Sequence, residues 1–211
     1  MFCPDTWRFM PQPRQPFLHD LATVFAAPTQ VLSHQNGDID GRPDRPTAQG
    51  VLHADVRVLS HAAVLVEGQP GEHIATDVAG GRARFTSLLR QVGADQVGTP
   101  DPRVRLYRVR EVHPGLVTEN LTISSLLDAP VVAGVSIVFG SDQAPLELIR
   151  EGAALAPRPF AVDPAGAGIE WTGQEVSARI AAEGATLSLS ADRTLLAANW
   201  SVSIPRTARS R

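Results

Sequence analysis

Short runs in which apolar and polar residues alternate recur along the chain, and Gly, Pro and Asp separate them. Residues two apart in a strand share a face, so each run predicts a strand with one inward row. The cleanest is Val104–Val112. Val104, Leu106, Arg108, Arg110 and Val112 fall on one side, and Arg105, Tyr107, Val109 and Glu111 on the other. Val56–Val66 reads as a long strand, and Leu116–Leu127 and Val131–Phe139 follow, rich in β-branched residues. Further strands are expected at Phe160–Val162, Ile169–Trp171, Glu175–Ala181, Ala185–Leu189 and Leu195–Ile204. Arg82–Val92 fits a strand or a short helix. Gly80-Gly81, Gly184 and Asp192-Arg193 suit turns.

Phe17–Ala26 is ambiguous, because Phe17, Leu21, Val24 and Phe25 also have helical spacing. Ala27-Pro28 breaks the segment, and Thr29–Leu32 reads as a hairpin partner, so a strand is the expectation. Asn36–Gln49 is dense in Gly, Asp, Pro and Arg and reads as a loop. Many short strands without a sustained helical period predict an all-β fold, a two-layer antiparallel β-sandwich (supersandwich-like) with little helix. Three parts are expected: an irregular segment over 1–15, one sandwich domain over 16–205, and a tail or linker start over 206–211.

Composition narrows the function classes. The 211 residues are 43% hydrophobic with a formal net charge of -3, enough apolar chain for a full core. A weakly acidic chain lacks the concentrated basic surface that nucleic acid requires. All 19 basic residues are Arg. Cys3 is the single cysteine, which excludes an internal disulfide and a thiolate-rich metal site. Met1–Gln15 lacks the continuous apolar stretch of a signal peptide, and no run of 18 apolar residues occurs. The expectation is a cytoplasmic protein with no membrane partner. In that setting the sequons Asn120-Leu121-Thr122 and Asn199-Trp200-Ser201 are chance matches.

Candidate chemistry is sparse. Over Gly50–Ser60, strand spacing puts His53, Asp55 and Arg57 on one face and Leu52, Ala54, Val56 and Val58 on the other. An Asp between His and Arg is expected to be ionised and hydrogen-bonded. Such a face reads either as a polar wall of a sugar cleft or as an ion network pinning the Asn36–Gln49 loop. Glu111 with Glu119, and Asp142 with Glu147, are the carboxylate pairs to weigh for glycoside hydrolysis, which needs two acids facing across a sugar. Solvated or hydrogen-bonded strand-end acids are the simpler reading. The histidines at 19, 34, 53, 61, 73 and 113 show no zinc spacing, and no nucleophile elbow, Walker loop or dinucleotide fingerprint occurs. No catalytic residue, metal site or cofactor is expected. Trp171 and Trp200 sit inside strand patterns, where core or interdomain packing competes with a sugar-stacking role.

Several stretches, in order, resemble the N-terminal domain of bacterial glycogen debranching enzymes of the amylo-α-1,6-glucosidase type. They are Leu18–Ser33, Asn36-Gly37-Asp38-Ile39, Gly50–Ser60 with its Gly-x-x-His-x-Asp-x-Arg element, Tyr107–Leu116, Glu119–Ile123, and Asp142, Ala144, Glu147 and Arg150. The chain departs from the pattern at Ser124 and Ser125, where an Asn is common. It departs again at Gln143 and Pro145, where an aromatic and an acid are frequent. The resemblance covers about residues 15–205. It implies a β-sandwich that in full-length relatives leads into an (α/α)6 barrel carrying the acid and base for α-glucan hydrolysis. It also implies that His53, Asp55, Arg57, Asp38 and Glu119 form a polar face contacting that domain or the glucan.

Three functions follow as expectations. The first is a non-catalytic accessory domain of a glycoside hydrolase, packing against and shaping the cleft of a barrel absent from this chain. Such a domain predicts an exposed apolar surface. The second is a stand-alone α-glucan-binding or scaffold module, which predicts an exposed aromatic beside polar side chains. The third, a self-sufficient enzyme, requires two carboxyl groups about 5–10 Å apart in a cleft.

Overall fold

A computed structural model describes residues 18–41, 47–93, 102–153, 155–162, 169–172 and 176–205. The first part of the chain forms β1 (Ala22–Ala26), β2 (Thr29–Ser33), β3 (Ile39–Asp40), β4 (Gly50–His53), β5 (Val56–Leu59) and β6 (His61–Val66). The middle forms β7 (Glu72–Ala79), β8 (Arg82–Leu88), β9 (Val104–His113), β10 (Leu116–Ser125) and β11 (Val131–Gly140). Then come β12 (Ala144–Pro145), the short α1 (Leu146–Arg150), β13 (Ala161–Val162), β14 (Ile169–Thr172), β15 (Ser177–Ile180), β16 (Thr186–Leu189) and β17 (Leu195–Ile204). The all-β, sandwich-like expectation holds.

Hydrogen bonding divides these strands into four antiparallel sheets rather than two. Their orders are β1-β2-β4-β5-β12, β10-β9-β8-β7, β16-β17-β11-β6-β3 and β13-β14-β15. The expected Val56–Val66 strand is broken at Ser60, and its halves join different sheets. Ser60 makes the corner: its N–H donates to the Gly140 carbonyl at 2.9 Å, and its own carbonyl accepts from the Gly41 N–H at 2.7 Å. A strand that bends and changes sheets in this way forms a corner between them.

Residues 50–60 do not form the single strand that the alternation predicts. A two-residue turn at Ala54 and Asp55, with φ of 45° and 65°, separates β4 from β5. Positive φ at both positions is the geometry whose twist matches a tight hairpin. His53, Asp55 and Arg57 therefore do not share a strand face. The strand β7 and the helix α1 went unforeseen. Most of β7 is exposed and its pairing slips between His73 and Ala75, so no clean two-residue period marks it. Cys3, Trp7 and the rest of 1–15, together with Gly166–Gly168, Glu175 and 206–211, lie outside the described residues.

Two apolar clusters form most of the core. One gathers Val24 of β1, Ile39 of β3, Phe85 of β8, Val112 of β9, Trp171 of β14 and Leu196 of β17, and so draws on all four sheets. The other packs Val104 and Leu106 of β9 against Val64 and Val66 of β6, Val135 and Ile137 of β11, and Ile204 of β17. A small third cluster places Ile149 of α1 over Leu52 and Ala144. The inward row of β9 serves both large clusters. Val104 and Leu106 lie in one and Val112 in the other, and Arg108 and Arg110 fill the seam between them.

The adjacent leucines of β17 test this layering. Leu196 is fully buried, whereas Leu195 is 43% exposed. Leu196→Ala is expected to cost about 2–5 kcal/mol through lost transfer energy and a cavity. Leu195→Ala should cost at most about 1 kcal/mol, in line with its partial burial. Urea denaturation of both variants checks this, and equal losses would contradict the inward and outward assignment.

Candidate functional site

Two arginines on an inward strand row must find anions, because a buried unpaired charge is far costlier than an exposed one. Arg108 and Arg110 are 2% and 0% exposed. The Pro114-Gly115 turn sets the β9–β10 register so that Glu119 lies opposite Arg110. Glu119 thus reaches both cations. Arg108 Nε donates to its Oε2 at 2.5 Å, and Arg110 Nε donates to its Oε1 at 2.5 Å. Arg110 Nη2 also bonds Glu119 Oε1 and donates to the Gly37 carbonyl at 2.6 Å.

The second anion comes from the turn before β3. Arg108 Nη1 donates to Asp38 Oδ1 at 2.7 Å. The turn is held by its own hydrogen bonds: Asn36 Nδ2 donates to Asp38 Oδ2, and the Asp38 N–H donates to Asn36 Oδ1, each at 2.9 Å. Asp38 Oδ1 also accepts from the Val64 N–H at 3.1 Å, which ties the turn to β6. Gly37, at φ +87°, is the position that needs glycine. A Cβ there would fall 2.7 Å from the Phe85 ring. That ring lies under both guanidiniums, with centroid distances of 6.0 Å to Arg108 and 5.3 Å to Arg110.

Two cations and two carboxylates give the cluster no net charge. Burial pushes the Glu119 carboxyl up, but the Arg108 and Arg110 charges and hydrogen bonds outweigh it and hold Glu119 below the ordinary glutamate range. Burial lowers both guanidiniums. Arg108, facing Glu119 and Asp38, still ends above its ordinary value. Arg110, facing mainly Glu119 and crowded by Arg108, ends below.

The remaining predicted residues are dispersed. Arg57 is buried and pairs with Asp142, not Asp55. Its Nε donates to Asp142 Oδ1 at 3.1 Å, and its Nη2 bonds Oδ2. Its Nη1 donates to the Thr47 and Gln49 carbonyls at 2.8 and 3.1 Å, pinning the end of the Asn36–Gln49 stretch. Asp55 is exposed in its turn, where its carbonyl accepts from the first helical N–H, that of Leu146, at 2.7 Å. His53 Nδ1 lies 2.8 Å from Thr29 Oγ1, which accepts from the Gly115 N–H at 2.8 Å.

Of the expected acid pairs, Glu119 and Asp142 are both held by arginine, and Glu111 pairs with Arg82 at 3.5 Å on the exposed side. Trp171 is 5% exposed, edge-on to Phe160 at 5.1 Å, with Nε1 donating to the Val58 carbonyl at 2.9 Å. Its ring is core and offers no face for a sugar. Trp200 is half-buried against the second cluster, and its Nε1 donates to the Glu183 carbonyl at 2.8 Å. Among the described residues, no group of three or more His, Cys, Asp and Glu side chains is placed to hold a metal.

The structure thus brings together Asp38 and Glu119 and adds Arg108, Arg110 and Phe85, which the sequence reading gave no role. The signal was present in the alternation. Two arginines on the row shared with Val104, Leu106 and Val112 demand buried anions, and a turn at Pro114-Gly115 puts Glu119 opposite one of them.

A family model described as the N-terminal domain of some glycogen debranching enzymes matches residues 25–210. No curated protein and no solved structure matches the chain.

Because its folded pKa is depressed, Glu119 contributes stability that is fully present above the ordinary value near 4.5 and is lost as pH falls through the lower folded value. Glu119→Gln leaves two buried guanidiniums short of an anion and is expected to cost about 3–5 kcal/mol at neutral pH. The gap between wild type and variant should narrow on the acid side in denaturant titrations at a series of pH values. A gap that stays constant through the acid range would contradict the assignment.

Proposed function

The chain belongs to the family of N-terminal domains of glycogen debranching enzymes, and from that membership we propose that it is a non-catalytic accessory domain of a glycoside hydrolase. In this reading it packs against an (α/α)6 catalytic barrel and shapes the cleft in which that barrel handles α-glucan. Bacterial origin and a cytoplasmic location belong to the same proposal. Among the described residues, no helix is long and apolar enough to cross a membrane.

The observation that carries this reading is the state of the inward-facing carboxylates. A glycosidase general acid must keep its proton near neutral pH, which requires a raised pKa. Glu119 is held ionised by two arginines, and Asp142 is bonded by the Arg57 guanidinium. For Glu119 the direction is opposite to what proton donation needs. Large apolar side chains are exposed singly on three of the sheets. Phe25 is 61% exposed on β1, Leu116 54% on β10 and Val132 69% on β11. The alternative, a stand-alone α-glucan-binding or scaffold module, keeps the half-buried Trp200 of its two expected stacking rings, and the exposed Phe25 opposite Gln30 fits its call for an exposed aromatic.

The test separates the readings. The purified chain is expected to leave α-glucans uncleaved and to co-purify in equal amounts with a separately expressed helical catalytic domain of a glycogen debranching enzyme. Hydrolysis by this chain alone would overturn the proposal. Retardation in a glycogen-containing gel together with no association with the catalytic domain would favour the alternative.

A further inference from the structure

The charge cluster leaves one guanidinium nitrogen over. Arg108 Nε bonds Glu119 and Nη1 bonds Asp38, but Nη2 is buried with no partner. Arg108 also lines a small, partly open pocket with about 10 Å³ of room for water, together with Asn36, Asp38, Val64, Phe85, Ser87 and Leu106. A buried donor without an acceptor carries the full cost of its lost hydration, so native structures rarely leave one. A space of roughly 10–15 Å³ holds one water, provided two or more polar groups line it.

We infer that this pocket is a binding site for a single ordered water, which accepts a hydrogen bond from Arg108 Nη2. The carboxylate of Asp38, the amide of Asn36 and the hydroxyl of Ser87 supply its other partners. Arg108 already faces two carboxylates, so no further anion is called for, and the room available suits one water. Arg110 Nη1 is also without a partner but does not line this pocket. The water joins the Asn36–Asp38 turn to β8 and β9, and it gives Arg108 Nη2 the acceptor it otherwise lacks. This site is independent of the accessory-domain reading.

The test is a crystal structure at a resolution that places ordered waters, paired with water–protein NOE spectroscopy in solution. The expected results are one density peak within hydrogen-bonding distance of Arg108 Nη2 and a long-lived water cross-peak to the Val64 amide, whose N–H donates to Asp38. Ser87→Val narrows the pocket and removes a polar partner, and should abolish that cross-peak while the circular dichroism spectrum is unchanged. Empty density beside Arg108, or a cross-peak that persists in a folded Ser87→Val protein, overturns the inference. If the variant does not fold, the crystal density decides.

Discussion

The fold depends on how two arginines are neutralised. Arg108 and Arg110 sit on the inward row of β9, where two apolar clusters meet. Glu119 answers them from the neighbouring strand, and Asp38 answers Arg108 from a turn that leads into a different sheet. Burying charge is unfavourable unless every cation meets an anion in good geometry. The cluster is therefore satisfied only when β9, β10 and the Asn36–Asp38 turn are all in place.

A second buried pair repeats the principle where β5 meets β12 in the β1-β2-β4-β5-β12 sheet. Arg57 spends its donors on Asp142 and on the Thr47 and Gln49 carbonyls, so one guanidinium fastens the chain after residue 46 and the segment entering β12. Bidentate arginine–carboxylate geometry suits this role because the planar fork fixes direction as well as distance. Both networks bind loops to sheets. In the first network, Glu119 is held below the ordinary glutamate range by its two arginines.

Much of the fold was legible in the residues, and the failures have physical causes. The alternation in Val104–Val112 gave the buried row of β9 residue by residue, and Leu195–Ile204 gave the bounds of β17. Alternation cannot reveal a bend at which the chain changes sheets, so the break at Ser60 was missed. Nor can it reveal a two-residue turn whose members, Ala54 and Asp55, keep the apolar–polar rhythm. That error joined His53, Asp55 and Arg57 on a face they do not share. The Arg57–Asp142 pair spans 85 residues and the Arg108–Asp38 pair 70, separations at which local pattern carries no information. Trp171 looked like any strand tryptophan until its contacts with Phe160 and the Val58 carbonyl placed it in the core.

The central claim is that charge pairing couples the Asn36–Asp38 turn to the β10-β9-β8-β7 sheet. A thermodynamic double-mutant cycle with Asp38→Asn and Arg108→Met, read by urea denaturation, measures that coupling directly. The account predicts an interaction energy between the two positions of about 1–3 kcal/mol, the range for residues in one buried network. Additive effects, with a coupling indistinguishable from zero, would contradict it.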